Sequence, residues 1–126
     1  MNRRVRADGA PPALGPYSQA IAAGELVFTA GQVGIDPSTG HLAEGGITAE
    51  TKQACANLAR VLEAADTGLD RVVKATVFLL DMDEFQEFNA AYAAVMGECR
   101  PARSTVQVVR LPAGARVEIE FIATRY

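Results

Sequence analysis

The chain has 126 residues, of which 49% are hydrophobic and 21% charged, with a formal net charge of −3 and a sequence pI near 5.1. This is an ordinary globular composition, so we expect one domain over residues 1–126, large enough to bury a core without disulfides or a structural metal. The acidic balance excludes the charge pattern of nucleic-acid or anionic-membrane binding, and it favours small molecules or further copies of the chain as partners.

The sequence lacks the patterns of a secreted, membrane or zinc-binding protein. Cys55 and Cys99 lie far apart, without a CxxC motif or nearby histidine pair, so we expect two reduced thiols. Arg3 and Arg4 precede a proline-rich segment and not an apolar run, so we expect a solvated tail and no signal peptide. Since no segment is apolar for long enough to cross a bilayer, we expect a cytosolic protein.

The first third of the chain predicts short strands and turns. Residues 17–23 and 26–30 flank Gly24 and have strand-like composition, which predicts two strands joined by a tight turn. Residues 31–46 are rich in glycine and form a predicted turn region. We expect the sole histidine, His41, on the surface, because no second metal ligand or nucleophile accompanies it.

A first helix is predicted between Thr48 and Gly68. Thr48 is the expected N-cap, Glu50 would favour the positive end of the helix dipole in the first turn, and Gly68 is the expected stop. One side of the helix should pack on a sheet, because apolar residues recur at helical spacing: Ala54, Leu58, Val61, Leu62 and Ala65.

A buried strand and a second helix follow. Residues 72–80 are β-branched and aromatic, and they predict a central strand with one apolar face made of Val73, Ala75, Val77 and Leu79. Asp83 and Gln86 resemble a capping box at the start of a helix. The apolar positions of that helix recur at helical spacing: Phe85, Phe88, Tyr92, Val95 and Met96.

Two last strands, over residues 104–109 and 116–123, are separated by a turn signal at 111–114. The element order is strands, helix, strand, helix, strands, and each helix is apolar on one side only. This predicts an α+β fold in which both helices cover one face of a single mixed sheet. The other face must be solvated or buried against other copies.

Several reaction classes lack the residues they need. One histidine excludes a histidine-rich metal site and leaves any Ser-His triad dependent on His41. No glycine-rich phosphate-binding motif is present to receive a nucleotide cofactor. An unassisted polar site remains.

Three segments are candidates for that site. Tyr17 follows Gly15-Pro16, a rigid turn that presents its hydroxyl. Arg103 opens an apolar strand after Pro101, and a planar guanidinium suits a two-bond grip on a carboxylate. Glu118 and Glu120 face the same way along a strand, and a carboxylate partly withdrawn from water has a raised pKa and can act as a base toward water. Taken singly, each is more typical of a protein surface than of a catalytic site.

Taken together, six segments resemble the enamine/imine deaminase family (RidA/YjgF) in order and spacing, from Ala10 to Ala123. They are GPYSQA from Gly15, Gly31-Gln32, Lys74–Val77, FQEFNAAY over Phe85–Tyr92, PARS over Pro101–Ser104, and VEIE over Val117–Glu120. The resemblance implies a chorismate-mutase-like α+β fold and a homotrimer with three clefts, each between neighbouring subunits. It also implies hydrolysis of reactive enamines or imines of 2-oxo acids, such as 2-iminobutanoate and 2-iminopropanoate, to the 2-oxo acid and ammonia without a cofactor.

The resemblance further implies roles for individual residues. Arg103 would hold the substrate carboxylate, while Glu118 and Tyr17 would hold the attacking water, and Glu118 would return a proton to the leaving nitrogen. Gly31 would give the substrate a backbone hydrogen bond, and Asn89 would line the cleft.

Two positions depart from a common family pattern. Ala30 stands where serine is frequent, which removes one possible polar contact with the substrate. Thr105 stands where cysteine is frequent, but it keeps the backbone hydrogen bond that the resemblance implies. Neither departure affects Arg103 or Glu118.

Simple strand geometry conflicts with a shared site. In a tight hairpin about Ala113, Glu118 would lie opposite Val108, roughly 16 Å along the strand from Arg103. Either the last two strands do not pair as a simple hairpin, or the cleft takes these residues from different subunits.

Two other functions remain open at this point. RNA cleavage is attributed to some relatives, although the acidic balance argues against phosphate binding. A non-catalytic trimeric ligand-binding or chaperone-like protein would need Arg103 but not Glu118.

Overall fold

The computed structural model describes residues 2–125 and contains two helices and nine strands within that range. The helices are α1 (Gly46–Ala64) and α2 (Phe85–Met96). The strands are β1 (Arg3–Val5), β2 (Ala20–Ala23), β3 (Leu26–Thr29), β4 (Gln32–Val33), β5 (Ile35–Asp36), β6 (His41–Leu42), β7 (Val72–Leu79), β8 (Ala102–Gln107) and β9 (Val117–Thr124).

Seven strands form one mixed sheet in the order β1-β2-β3-β9-β7-β8, with β4 also paired to β9. All pairs are antiparallel except β7 with β8, which are parallel because α2 connects them as a crossover. The prediction of an α+β fold with two helices on a mixed sheet is confirmed. A small separate ladder of β5 with β6 lies outside the predicted single sheet.

The core lies between the helices and one face of the sheet. The predicted stripe of α1, from Ala54 to Ala65, is fully buried, as are the alternate residues of β9. From α2, Phe88, Tyr92 and Met96 are buried as predicted, and Phe85 and Val95 pack against them. Since alternate strand residues point to opposite faces, the intervening residues of β9 lie on the face without helices, called the open face below.

The last two strands do not form a hairpin. β7 lies between them, parallel to β8 and antiparallel to β9. The segment that joins them crosses the end of β7 instead of turning tightly, and Leu80 donates its backbone N–H to the Arg116 carbonyl at 3.0 Å there. Of the two alternatives left open by the sequence, the first therefore holds.

The predicted start of α1 is wrong. The helix begins at Gly46, directly after Gly45, whose φ of 125° reverses the chain in a conformation that residues with a side chain rarely adopt. Thr48 is therefore inside the helix and caps nothing. Glu50 is not at the dipole end but buried, where its carboxylate accepts the backbone N–H of Arg116 at 2.8 Å.

The predicted capping box of α2 is also wrong. Asp81, not Asp83, is the capping residue: its carboxylate accepts the backbone N–H of Asp83 at 2.9 Å and starts a 3-10 turn over Met82–Glu84. The α-helix follows from Phe85 without a side-chain cap, so Gln86 has no capping role.

Three smaller expectations need correction. α1 ends at Ala64, and Gly68 instead precedes a 3-10 turn over Leu69–Arg71. Val73 is 45% exposed, because a register shift between Val72 and Lys74 turns it away from the core. The expected N-terminal tail is in part a strand, since β1 pairs with β2, although the Arg3 and Arg4 side chains are exposed.

Cys55 and Cys99 are free, as expected, and His41 is exposed. Among residues 2–125, no helix is long and apolar enough to cross a membrane.

Candidate functional site

Glu118 lies on the open face beside a cavity of about 500 Å³. The alternation of β9 points Val117 and Ile119 into the core and Glu118 away from it. Tyr17 and Gly31 line the same cavity, whose wall is otherwise mainly apolar: Pro11, Pro12, Leu14, Val33, Ile35 and Pro37 contribute to it. The structure thus brings together three of the predicted site residues.

Gly31 lies so close to the Glu118 side chain that a larger residue there would displace it. A Cβ atom at this position would lie 2.8 Å from Cδ and 2.9 Å from Cγ of Glu118, which is closer than two carbon atoms in non-bonded contact approach. Pairing of β4 with β9, which places Val33 opposite Glu118, brings the two segments together. The absent side chain of Gly31 therefore makes room for the carboxylate.

Gln19 holds the segment that forms one wall of this cavity. Its buried amide accepts the Ala7 N–H at 2.7 Å and donates to the carbonyls of Ala7 and Pro11 at 3.1 and 2.8 Å. The segment between Pro11 and Tyr17 is thereby fixed at its base. Tyr17 itself is 56% exposed, so its hydroxyl is accessible.

The carboxyl group of Glu118 is less acidic than an exposed glutamate. Partial burial disfavours its charged form and raises its pKa, and the negative charge of Glu120, two residues along the same face, raises it further. A carboxylate with a raised pKa is a better proton acceptor than an ordinary one.

The start of β9 is anchored from two sides through Arg116. Its backbone N–H is bound by Glu50 of α1, and its guanidinium forms hydrogen bonds of 3.1 Å to both carboxylate oxygens of Glu84. Because Glu118 follows two residues later, these contacts of Arg116 fix the position of the Glu118 backbone along the strand direction.

Arg103 lies on the other face of the sheet, over an aromatic platform provided by α2. Its guanidinium carbon is 5.7, 5.5 and 5.0 Å from the ring centroids of Phe85, Phe88 and Tyr92. Cation–π attraction holds a guanidinium in place without using its N–H donors. Within residues 2–125, Arg103 forms no salt bridge and no side-chain hydrogen bond. Its donors are therefore oriented but unoccupied.

Arg103 borders a second cavity, of about 490 Å³, at the end of α2. Asn89, another predicted site residue, lines it, together with Tyr92, Ala93, Cys99, Arg100 and Pro101. The hydroxyl of Tyr92 is buried without a hydrogen-bond partner among the described residues, and burial raises its pKa to about 12. Thr105 follows on β8, and its buried hydroxyl likewise finds no partner in the described part of the chain.

The two cavities lie on opposite faces of one sheet. Arg103 is opposite Ala75 and Ala75 is opposite Phe121, all on the helix side, whereas Glu118 is opposite Phe78 on the open side. Arg103 and Glu118 are two strands apart across the sheet and three residues apart along it, which places their Cα atoms roughly 14 Å from each other. Within one chain they cannot contact the same small molecule.

The predicted site residues therefore fall into two groups. Tyr17, Gly31 and Glu118 share the first cavity, and Asn89 and Arg103 share the second, with Thr105 two residues along β8. Ala30 borders Gly31 and donates its N–H to the Gln19 carbonyl at 2.9 Å, but it does not line the cavity.

The sequence did not reveal the platform beneath Arg103 or the neighbouring Arg100. Phe85, Phe88 and Tyr92 were recognised only as the apolar stripe of a helix. The signal that would have found them is three aromatic residues at helical spacing shortly before an arginine that opens a strand.

A metal centre finds no support in the described residues. Over positions 2–125, no three histidine, cysteine, aspartate or glutamate side chains are grouped so that they could hold a metal ion.

Comparison with known proteins connects this geometry to one family. The family model described as endoribonuclease L-PSP matches residues 8–125. The mouse protein named 2-iminobutanoate/2-iminopropanoate deaminase is 47% identical over 116 residues, which cover 92% of this chain and 86% of that protein. Two solved structures from E. coli have a TM-score of 0.94 and cover 98% of this chain and 99% of their own: the YjgF gene product, 37% identical, and TdcF with bound serine, 34% identical. The chain belongs to the RidA/YjgF family.

Proposed function

We propose that this protein hydrolyses 2-imino acids, such as 2-iminobutanoate and 2-iminopropanoate, to 2-oxo acids and ammonia, without a cofactor. One observation supports this most strongly: Arg103 is fixed over three aromatic rings with its hydrogen-bond donors unoccupied by any described residue. Such a guanidinium is suited to bind a substrate carboxylate through two parallel bonds. The name of the mouse relative and the serine bound to TdcF agree with a small ligand that carries an α-carboxylate.

In this proposal the site forms between two copies of the chain. Arg103, Asn89 and Thr105 come from one copy, and Tyr17, Gly31 and Glu118 come from its neighbour in a homotrimer. The opposite placement of the two cavities supports this arrangement. Exposed apolar side chains on the open face support it too, since Phe28 is 41% and Val106 45% exposed in the isolated chain.

The chemistry follows from the groups in each half. The Glu118 carboxylate accepts a proton from water as the water oxygen bonds to the imine carbon, and it then gives that proton to the nitrogen. The resulting carbinolamine collapses when its hydroxyl proton passes through Glu118 to the nitrogen, the C=O bond forms and ammonia leaves. Tyr17 orients the water, and Arg103 holds the carboxylate so that the carbon faces it. Such positioning contributes a large part of the rate in reactions of this kind.

The test is to generate 2-iminopropanoate in situ with an amino-acid oxidase and to trap the surviving imine with semicarbazide. Wild type should reduce the trapped imine. Arg103→Ala should raise KM, and Glu118→Gln should lower kcat by about 10²-fold or more, because it removes the general base but keeps the shape. Arg110→Ala, which removes an exposed arginine, serves as the control and should behave as wild type. Wild type that does not accelerate imine loss would contradict the proposal.

RNA cleavage is the competing function, because the matching family model carries an endoribonuclease description. The net charge of −3 and the half-buried Glu118 disfavour an approaching phosphate backbone. We therefore expect no cleavage of a mixed-sequence RNA by preparations that hydrolyse imines. A third possibility, a ligand-binding protein without turnover, predicts carboxylate binding that depends on Arg103 and no effect of Glu118→Gln.

A further inference from the structure

A second guanidinium, that of Arg100, borders the same cavity as Arg103. Two residues lie between the two arginines in the sequence, so their Cα atoms are at most about 11 Å apart. Both side chains are long enough to reach a ligand of a few carbon atoms placed between them. No role in the proposed reaction uses Arg100.

Arg100 is held in place from one edge. Its Nη1 donates one hydrogen bond to the carbonyl of Gly97, at the end of α2, and another, of 2.9 Å, to the carbonyl of Cys99. These bonds occupy a single nitrogen. Among the contacts of residues 2–125, Nε and Nη2 of Arg100 have no hydrogen-bond acceptor, and Arg100 forms no salt bridge. A guanidinium held in this way keeps two donors for an anion.

The cavity contains positive charge without an acidic side chain to balance it. Its lining residues include two arginines, an asparagine, a tyrosine and a cysteine, but no aspartate or glutamate. Both guanidiniums influence the Tyr92 hydroxyl, which is buried in the cavity wall. Burial raises the pKa of this hydroxyl, and the positive charge of each arginine opposes that rise. A ligand with a single carboxylate would neutralise only one of these two charges.

We propose that Arg100 and Arg103 together bind a ligand with two acidic groups, so that the preferred substrate is the imine of an acidic amino acid, such as 2-iminosuccinate. Arg103 binds the α-carboxylate and Arg100 the side-chain carboxylate. The proposal rests on the deaminase function proposed above and names the substrate class of the same site. Arg100 is then the residue that determines specificity, and it takes no part in the chemical step.

The test compares an acidic with an apolar imine. 2-Iminosuccinate is generated from aspartate with an aspartate oxidase and 2-iminopropanoate from alanine with an amino-acid oxidase, each in the semicarbazide assay. We expect Arg100→Gln to lower kcat/KM for 2-iminosuccinate by about tenfold or more and for 2-iminopropanoate by less than about twofold, because a second charge-assisted contact is lost only with the acidic substrate. An unchanged ratio of the two kcat/KM values would overturn the proposal.

Two further variants separate charge from local structure. Arg71→Gln removes an exposed arginine that lines neither cavity, and it should leave the ratio as in wild type. Arg100→Lys keeps a cation at the cavity but changes the contacts with Gly97 and Cys99, and it should retain most of the preference. If Arg100→Lys lost as much of the preference for 2-iminosuccinate as Arg100→Gln, the loss would result from the altered contacts with Gly97 and Cys99. That outcome would refute a role for the charge of Arg100.

Equilibrium binding distinguishes failure of this inference from failure of the deaminase proposal. Calorimetric titration with 2-oxoglutarate and 2-oxobutanoate requires no turnover. Tighter binding of the dicarboxylate, lost in Arg100→Gln, would support the two-arginine site even if wild type hydrolysed no imine. Equal binding of the two acids by wild type would refute the site even if imine hydrolysis were observed.

Discussion

Replacing Gly31 with alanine tests whether the close contact with Glu118 matters for activity. The added Cβ would lie 2.8 Å from the Glu118 Cδ, whereas ordinary contact begins at 3.4 Å, so the carboxyl group must move by about 0.6 Å or rotate away. Glu118 is only half buried, so the side chain has room to do so, and we expect the free energy of unfolding to fall by less than about 1.5 kcal/mol. A displacement approaching 1 Å can nevertheless cost about 10²-fold in rate. Gly31→Ala should therefore fold normally and lose most of its kcat/KM.

Two matched glycine variants make this result interpretable. At Gly34 a Cβ would lie 2.5 Å from the backbone oxygen of Glu50, and a helix backbone cannot rotate away, so Gly34→Ala should lower stability by about 1–3 kcal/mol. At Gly9 the nearest atom is a flexible carbon of Arg60 at 3.6 Å, so Gly9→Ala should be neutral. Thermal melts and imine assays on all three variants provide the comparison. Gly31→Ala with wild-type kcat/KM would refute the role given to this contact.

Two more predictions concern the surroundings of Glu118. Because the charge of Glu120 helps to raise the pKa of Glu118, Glu120→Gln should lower that pKa and move the acidic limb of the pH profile of kcat/KM to lower pH. Glu120→Asp keeps the charge and should leave the acidic limb where it is in wild type. An unmoved limb in Glu120→Gln would contradict the coupling between the two carboxylates. Gln19→Ala removes three hydrogen bonds to buried or partly buried backbone groups, so it should cost about 1–3 kcal/mol of stability and raise KM by loosening the segment that carries Tyr17. The exposed Gln86→Ala is its control, and equal melting temperatures for the two variants would count against the structural role of Gln19.

The fold was predictable from the sequence where a periodic pattern determines burial. The apolar stripe of α1 and the alternation of β9 gave the correct faces, because side-chain burial dominates the energy of both elements. Element ends were predicted less well. The start of α1 depends on the backbone conformation of Gly45 and not on the hydroxyl of Thr48, and a sequence pattern does not distinguish these two ways of starting a helix.

The sequence selected candidate residues for the site but not their arrangement. The family resemblance selected Arg103 and Glu118, yet it did not show that they lie on opposite faces of the sheet. That follows from the insertion of β7 between β8 and β9, a long-range pairing that no local signal encodes. The contacts of Arg100 depend on how the chain turns after α2, and they were equally hidden in the sequence.

We propose that a working site needs two copies of the chain, and mixed trimers test this proposal most directly. Arg103→Ala and Glu118→Ala would be produced together with two different affinity tags, and assemblies that carry both tags would be purified. In a cyclic trimer of mixed composition, one interface of the three joins an intact Arg103 to an intact Glu118. At imine concentrations well below the KM of Arg103→Ala, the mixed trimers should therefore have about one third of wild-type activity, whereas each variant alone should be nearly inactive. Mixed trimers no more active than either parent variant would contradict a site shared between two copies of the chain.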